Sequence, residues 1–305
     1  MTKSTKWFIG ILAVLALFAL GFTFLIVYFV NISSPSERTE TVTTGSGERV
    51  AVIDLRGEIT SSEDVVRQLK KYRTMSSVKA IVLHIDSPGG GVVASQEMYE
   101  EVRNTRNGGK PVIVAMGSLA ASGGYYVSCG ATRIVANRGT LTGSIGVISE
   151  FLQVKDALAK LGISEMTIKA GKLKDAGSPT KNMTEDDRAY FQNLMDEVHR
   201  QFMDVVARER NLSPGKVRQL ADGRVYTGVK AVELGLVDTL GTYEDAIRIA
   251  AGIAGITGEP SIVRERRRQA WWDSMFGSAG ETLRDIKQQL LDRPAMSYRF
   301  AGPPY

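Results

Sequence analysis

The hydrophobic positions of this chain follow two patterns, one near its start and one through its middle. Residues 7–30 are apolar without interruption, with no charged side chain and with Thr23 as the one clearly polar residue. A helix of that length spans about 36 Å, more than the roughly 30 Å hydrocarbon core of a bilayer. The run therefore predicts a transmembrane helix rather than a buried core helix.

The charges that flank this run predict its orientation. The apolar stretch is longer than that of a cleaved signal peptide and has no obvious small-residue cleavage site, which favours an uncleaved signal anchor. Lys3 and Lys6 precede it, whereas the charges just after it are balanced. We therefore expect residues 1–6 in the cytoplasm, and the chain after about residue 31 on the periplasmic or extracellular side of the inner or plasma membrane. Membrane lipid is then an expected partner.

The second pattern is an alternation of short apolar runs with amphipathic stretches. It predicts strands that alternate with helices, and hence an α/β domain with a parallel sheet. We expect a flexible tether over residues 31–48, a catalytic domain over 49–257 and an extension over 258–305. The predicted strands lie at residues 50–55, 80–85, 111–116 and 133–137.

Several helices have recognisable start signals or periodicity. Ser61 with Asp64 and Thr184 with Asp187 are spaced as variants of the capping box, with Asp in place of Glu or Gln. Apolar residues at helical spacing predict one long amphipathic helix over residues 184–210. Shorter helices are expected at residues 214–221, 228–234 and 242–251.

The composition of the chain limits the kinds of site that it can form. A single cysteine, Cys129, excludes an intramolecular disulfide and a cysteine-rich zinc site, and only two histidines are present. The net charge is +5, but much of the excess lies in the cluster Arg264, Arg266, Arg267 and Arg268, which suits a solvated or lipid-facing patch as well as a phosphate site. We expect no metal, no cofactor and no nucleic-acid partner.

Residues 117–126, G-S-L-A-A-S-G-G-Y-Y, place two serines among small residues. For Ser118 a packed or turn-bonding hydroxyl is the better interpretation. A nucleophilic serine needs a base, but His84 lies within a predicted strand and His199 within a helix, where packing or surface roles are more common. Lysine is the other side chain that activates serine, provided that burial lowers its pKa towards neutrality. The residues alone leave four candidates: Lys169, Lys172, Lys174 and Lys181.

A set of motifs resembles a known family. The segments HIDSPGGGV (84–92), GSLAASGGYYVSCGA (117–131), GTLTGSIGV (139–147), GKLKDAGSP (171–179) and ADGRVYTGVKAVELGLVD (221–238) occur in order. Together they resemble the signal peptide peptidase A family, serine peptidase family S49, in its short form. The resemblance covers residues 50–250 and implies repeated ββα units, as in the crotonases and ClpP.

The resemblance also implies catalytic roles for three side chains. Ser122 matches the nucleophile, and Lys174 matches the general base. Ser144 matches the serine whose hydroxyl helps to hold the lysine amine. No metal belongs to this arrangement.

Three glycines match the family's oxyanion-binding backbone. Gly89 corresponds to the residue whose N–H faces the developing negative charge, and Gly90 and Gly123 are neighbours in the same hole. Backbone donors fixed at such a place each stabilise the transition state by roughly 3 to 4 kcal/mol.

The resulting hypothesis is a membrane-anchored serine endopeptidase that cuts hydrophobic remnant signal peptides as a homo-oligomer, with active sites within one chain or across neighbours. One alternative is a non-catalytic membrane-tethered scaffold or peptide-binding protein of the same fold. Another is a crotonase acting on acyl-CoA, which the expected external location disfavours because coenzyme A is cytoplasmic.

The extension leaves further alternatives open. Trp271, Trp272, Met275 and Phe276 lie near the arginine cluster, which suits a membrane interface, a helical oligomer contact or a partly disordered tail. The stretch SYRFAGPPY (297–305) is a candidate to enter a peptidase cleft, to be trimmed or to act as a product-like plug.

Overall fold

The computed structural model describes residues 39–45, 47–267 and 296–300, with isolated positions 7, 17, 18, 20 and 21. The chain divides into two compact units, Met1–Thr41 with Glu265–Asp285, and Val42–Arg264 with Ile286–Tyr305. Nearly all of the predicted anchor and most of the 258–305 extension lie outside the described residues. Within the described residues, none of the helices has the length and apolar character needed to cross a bilayer.

The described strands and helices form a mixed α/β fold that agrees with a ClpP-like peptidase. In chain order the described strands are β1 (Thr39–Thr44), β2 (Arg49–Arg56), β3 (Val78–Ser87), β4 (Gly89–Gly91), β5 (Val112–Ala121), β6 (Arg133–Ala136), β7 (Leu141–Gly143), β8 (Val225–Thr227), β9 (Thr239–Leu240), β10 (Ser261–Arg267) and β11 (Ser297–Arg299).

The helices follow the strands much as the sequence predicts. In chain order the described helices are α1 (Glu63–Thr74), α2 (Val92–Asn107), α3 (Gly123–Ser128), α4 (Lys155–Lys160), α5 (Glu185–Arg210), α6 (Pro214–Leu220), α7 (Gly228–Leu234) and α8 (Tyr243–Ile253). The predictions for α5 to α8 are confirmed to within two residues at each end.

The main sheet has the order β1-β10-β2-β3-β5-β6-β9, with β7 paired to both β5 and β8. Strands β10, β2, β3, β5, β6 and β9 pair in parallel, and β7 is parallel to β5. The expected parallel sheet is therefore confirmed. Apolar side chains on its two faces form two cores, the smaller one against α8. A separate pair, β4 with β11, lies beyond the carboxyl end of β3.

One of the two predicted capping boxes is present. At the start of α5 the Asp187 N–H donates to Thr184 Oγ1 at 3.2 Å, and the Thr184 N–H donates to Asp187 Oδ2 at 3.0 Å. The helix start predicted at Ser61 is confirmed, since α1 begins at Glu63, but the capping box predicted for Ser61 with Asp64 is wrong, because the N-cap of α1 is Ser62. The Ser62 hydroxyl bonds to Glu97 of α2 instead of capping the helix.

Strand β5 is longer than its apolar run predicts. The sequence suggests a turn from Gly117 onwards, but the strand continues through Ala121. A Cβ at Gly117 would lie 2.9 Å from Asp86 Cγ, and the Leu119 N–H donates to Asp86 Oδ1 at 3.0 Å. Small residues therefore let the strand pass Asp86 and reach residue 122 in extended form.

The capping box predicts the effect of one substitution on stability. Thr184→Ala removes the side-chain acceptor at the start of α5 and should lower the free energy of unfolding by about 1 kcal/mol. Urea denaturation followed by circular dichroism measures the change. Thr257→Ala, in an exposed loop, should change it by less than about 0.5 kcal/mol; equal losses in the two variants would contradict the capping role.

Candidate active site

Ser122 occupies a strained turn between β5 and α3. Its φ is 52° and its ψ is −114°, a conformation that non-glycine residues rarely adopt. The Ser122 N–H donates to the Gly143 carbonyl at 2.8 Å, and the Ser122 carbonyl accepts from the Tyr126 N–H at 2.8 Å. Both backbone groups are thus fixed by the neighbouring strand and helix, which hold the side chain at the end of the sheet. A sharp strand-to-helix turn of this kind is typical of serine nucleophiles.

The Ser122 hydroxyl is buried without a partner. The residue is 1% exposed, and its Oγ forms no hydrogen bond within the described part of the chain. A buried hydroxyl without a hydrogen bond is costly and calls for an explanation. A nucleophile that is kept free for an incoming group provides one.

The glycines expected at the oxyanion site lie beside this serine. Gly89 has a φ of 97°, and a Cβ on it would lie 2.6 Å from the Gly123 nitrogen. Gly90 is pressed against Ile59, whose backbone oxygen would lie 2.2 Å from an added Cβ. The Gly89 N–H donates a hydrogen bond to Ser87 Oγ at 3.1 Å. The structure therefore brings Gly89, Gly90 and Gly123 together, next to Ser122.

Ser144 is the second strained serine. It is 5% exposed, has a φ of 51° and follows Gly143, the residue bonded to Ser122. Its N–H donates to the Arg224 carbonyl at 2.9 Å. In the described residues the only other non-glycine residue with positive φ is Asn211, which ends α5. Strain of this sort therefore concentrates at the candidate site.

Lys174 forms no hydrogen bond with Ser122 Oγ. It is exposed in a turn where its N–H donates to the Gly171 carbonyl at 3.2 Å, and its ammonium group has no partner among residues 39–45, 47–267 and 296–300. The single chain therefore does not join Lys174 to the serine hydroxyl.

The other three candidate lysines all form ion pairs. Lys169 contacts Asp175, Lys172 contacts Asp186, and Lys181 contacts both Asp187 and Asp175. The hydrogen bond to Asp186 raises the pKa of Lys172, and those to Asp187 and then Asp175 raise the pKa of Lys181. A raised pKa makes the neutral amine scarcer, so Lys172 and Lys181 are poorer bases.

Neither histidine contacts the serine. His84 Nδ1 lies 3.1 Å from Asp54 Oδ1, and His199 Nε2 lies 3.2 Å from the Ile145 carbonyl oxygen. The packing roles expected for both agree with these contacts. Ser118, in contrast, is exposed within strand β5, so the expectation of a packed or turn-bonding hydroxyl there is wrong.

A groove beside Ser122 already contains part of the chain. Strand β11 pairs antiparallel with β4, with Tyr298 opposite Gly90, and the Tyr298 ring is buried near Tyr126 and Phe202. Nothing in the sequence indicated that Tyr126 and Phe202 belong to the site. Tyr126 lies within the quoted GSLAASGGYY motif, but only the folded chain shows that its ring packs against Phe202 and Tyr298.

Comparison with known proteins identifies the family. The model of peptidase family S49 matches residues 104–257, and that of Clp protease matches residues 39–156. A putative protease of Synechocystis sp. is 41% identical over 215 residues, which cover 70% of this chain and 77% of that protein. This chain belongs to peptidase family S49.

Further relatives of this S49 peptidase carry protease names. A putative signal peptide peptidase SppA of Enterococcus faecium is 41% identical over 231 residues, covering 76% of this chain and 67% of that protein. Protease 4 of Salmonella typhi is 34% identical over 269 residues, covering 83% of this chain and 43% of that protein. The resemblance read from the motifs is confirmed, and the protein is a serine-type peptidase. The protease names of these relatives favour a peptidase over the two alternatives, a non-catalytic protein of the same fold and a crotonase.

The packing of Gly89 predicts a loss of activity on substitution. A Cβ there would lie 1.9 Å from the Tyr298 carbonyl oxygen and would obstruct any peptide strand in the groove. Gly89→Ala should therefore lower kcat/KM for peptide hydrolysis about ten-fold or more.

Gly109→Ala is the matched control for that measurement. Its φ of 87° imposes similar backbone strain, but an added Cβ would have nothing within 4 Å. The control should lose stability without a comparable loss of kcat/KM. Equal losses of activity in the two variants would mean that strain, and not the groove, is responsible.

Proposed function

We propose that this S49 peptidase is a membrane-anchored endopeptidase that cleaves hydrophobic remnant signal peptides with a dyad of Ser122 and Lys174. The observation that carries the proposal is the buried, unpartnered hydroxyl of Ser122 on a strained turn beside Gly89 and Gly123. A nucleophile needs these three conditions together: a free hydroxyl, a fixed position and backbone donors close by.

The reaction follows from these groups. Ser122 Oγ attacks the carbonyl carbon of the scissile bond while Lys174 accepts its proton, and the same proton then passes to the leaving amine. Water hydrolyses the acyl-enzyme in a second step and regenerates the serine. Backbone N–H groups of Gly89 and Gly123, with Gly90 as a neighbour, stabilise the tetrahedral oxyanion. The reaction as written needs no metal or cofactor.

Lys174 is the best of the four lysines for the base. It is the one without a carboxylate partner in the described chain, and a carboxylate would favour the charged form. A lysine base must nevertheless lose contact with water, because desolvation lowers its pKa. The Ser144 hydroxyl, fixed close to Ser122 by the Gly143 bond, is suited to orient the amine once it arrives.

A neighbouring copy of the chain can supply this dry environment. Residues 151–173 expose several large apolar side chains, among them Met166 at 90% and Ile168 at 93%. Exposed apolar surface of this kind marks interaction sites. We therefore propose a homo-oligomer in which this segment packs against a neighbour and carries Lys174 towards the neighbour's Ser122.

The substrate assignment rests on the predicted anchor and on the relatives. Residues 7–30 would hold the catalytic domain at the membrane, on the periplasmic or extracellular side. Remnant signal peptides are apolar and stay near the bilayer, so a tethered enzyme meets them at high effective concentration. The name of the Enterococcus faecium relative supports the same substrate class. Resistance of the full chain to carbonate extraction from membranes tests the anchoring.

Substitution of the dyad tests the mechanism. Ser122→Ala and Lys174→Ala should each lower hydrolysis of a fluorogenic signal-peptide fragment by about 10⁴-fold or more. Lys174→Arg should be equally inactive, because a guanidinium does not lose its proton. Lys172→Ala, a nearby lysine paired with Asp186, is the control and should keep most of the activity. Near wild-type rates in the Lys174 variants would refute the dyad.

Mixed oligomers test whether the dyad is shared between copies. Ser122→Ala and Lys174→Ala chains that are unfolded together and refolded should regain up to about a quarter of the wild-type activity. Each active site made from an intact Ser122 and a neighbour's intact Lys174 is complete, and random assembly produces one in four. A mixture as inactive as its components would show that both residues act within one chain.

A further inference from the structure

The peptide unit that precedes Ser144 is fixed at both of its polar groups. Its carbonyl, that of Gly143, accepts from the Ser122 N–H at 2.8 Å, and its N–H, that of Ser144, donates to the Arg224 carbonyl at 2.9 Å. Ser144 nevertheless has a φ of 51°, which is unfavourable for a residue with a side chain. Such a conformation persists only where the surrounding structure holds the chain on both sides. Contacts after Ser144 must therefore contribute as well.

The motif ADGRVYTG, one of those that mark the family, supports the chain before Ser144. Strand β8 lies within it and pairs antiparallel with β7, so that Val225 is opposite Gly143. The Tyr226 ring packs so closely over Gly143 that an added Cβ there would lie 2.7 Å from Tyr226 Cδ2. The motif thus has a role at the site without contributing a reacting group. It fixes the strand that ends at Ser144.

Helix α5 supplies the contact after Ser144. His199 Nε2 lies 3.2 Å from the carbonyl oxygen of Ile145, the residue that follows Ser144. A carbonyl oxygen can only accept a hydrogen bond, so Nε2 carries the hydrogen and His199 is the donor. The Ile145 side chain is fully buried in the main core. The carbonyl and the side chain of Ile145 are therefore both fixed, and the conformation of Ser144 is determined from its two ends.

A histidine suits this position because its donor does not depend on its charge. A neutral imidazole with hydrogen on Nε2 and a charged imidazolium both present the Nε2–H. The same bond occupies Nε2 as a donor, which agrees with the assignment of the base to a lysine. His199 is half-buried in the middle of α5, between the buried side chains of Val198 and Phe202. A long helix packed on the core provides a firm support for the donor.

We propose that His199 is a positioning residue of the active site. Its Nε2–H holds the Ile145 carbonyl and thereby keeps Ser144 in the strained conformation from which its hydroxyl orients the amine of Lys174. The inference rests on the proposed function and on the role of Ser144 within it. Because His199 acts through Ser144, its loss should slow the chemical step more than it weakens substrate binding.

Two substitutions at His199 separate the hydrogen-bond donor from the ring. His199→Phe keeps a ring but has no N–H, whereas His199→Gln places an amide N–H at a similar distance along the side chain. With the full chain and the fluorogenic signal-peptide fragment, His199→Phe should lower kcat about ten-fold and change KM by less than about two-fold. His199→Gln should keep at least about half of kcat. Equal losses of kcat in the two variants would overturn the inference.

A double-mutant cycle tests whether His199 acts through Ser144. Ser144→Ala removes the hydroxyl that is to be positioned and should lower kcat about 30-fold. In that protein His199→Phe should lower kcat by less than about two-fold more, because no hydroxyl is left to misplace. A ten-fold loss in both backgrounds is the result expected of independent residues, and it would count against the proposal.

His84→Phe is the matched control. His84 is the other histidine of the chain, and its Nδ1 lies 3.1 Å from Asp54 Oδ1. The variant loses this contact and should lower the free energy of unfolding, but its kcat should stay within about two-fold of the wild-type value. A loss of kcat equal to that of His199→Phe would attribute both effects to general destabilisation and would refute the positioning role.

Hydrogen exchange measures the hold on the backbone without catalysis. Amides of residues 144–148 should exchange about ten-fold faster in His199→Phe than in the wild-type chain or in His199→Gln, as followed by mass spectrometry of peptic fragments. Exchange in α1 should be the same in all three proteins. Unchanged exchange at residues 144–148 would show that His199 does not hold this segment.

The two proposals fail in different ways. If the wild-type chain cuts no peptide while exchange at residues 144–148 still rises in His199→Phe alone, the proposed function is wrong and the hold of His199 on this segment is supported. If peptides are cut and the loss caused by His199→Phe persists in the Ser144→Ala protein, the dyad stands and the positioning role is overturned.

Discussion

The parallel pairing of β5 with β7 is the constraint on which the site depends. Ala121 lies opposite Gly143, so the residues that follow, Ser122 and Ser144, leave the sheet side by side. The bond from the Ser122 N–H to the Gly143 carbonyl joins the two strand ends. Strain at both serines can persist because the sheet behind them is buried and regular. A shift of one residue in this register would separate the two hydroxyls and turn β5 side chains to the opposite face.

Part of this arrangement is encoded locally and could be predicted. The alternation of apolar runs with amphipathic stretches gave the parallel sheet, and the spacing of Thr184 and Asp187 gave the start of α5. The path of β5 beyond Gly117 could not be predicted in this way. Its residues are small and carry little hydrophobic signal, and what keeps them extended is contact with Asp86 and β7, which are distant in sequence.

The candidate site likewise has a part that could be predicted from the sequence and a part that could not. Ser122, Ser144 and the three glycines were predicted from motifs, because the backbone conformation at these positions depends on short stretches of sequence. The pocket of Tyr126 and Phe202 was missed, since it unites α3 with α5 across the fold. The position of Lys174 is a different case. Its turn is fixed by the Asp175 contacts with Lys169 and Lys181, and the described residues of one chain do not bury its amine, as a lysine base would require.

The backbone pairing in the groove limits which polypeptides can enter it. The backbone groups of residues 297–300 form hydrogen bonds with β4 on one side and with Ile148 on the other. A polypeptide that binds in their place must therefore be extended, with its backbone N–H and C=O groups free on both sides. A folded protein rarely has such a segment, because its backbone N–H and C=O groups are already hydrogen-bonded within its own sheets and helices. Under the proposed function, the groove therefore distinguishes chains by whether they are folded, and a peptide severed from its parent protein is open to cleavage because it has lost that protection.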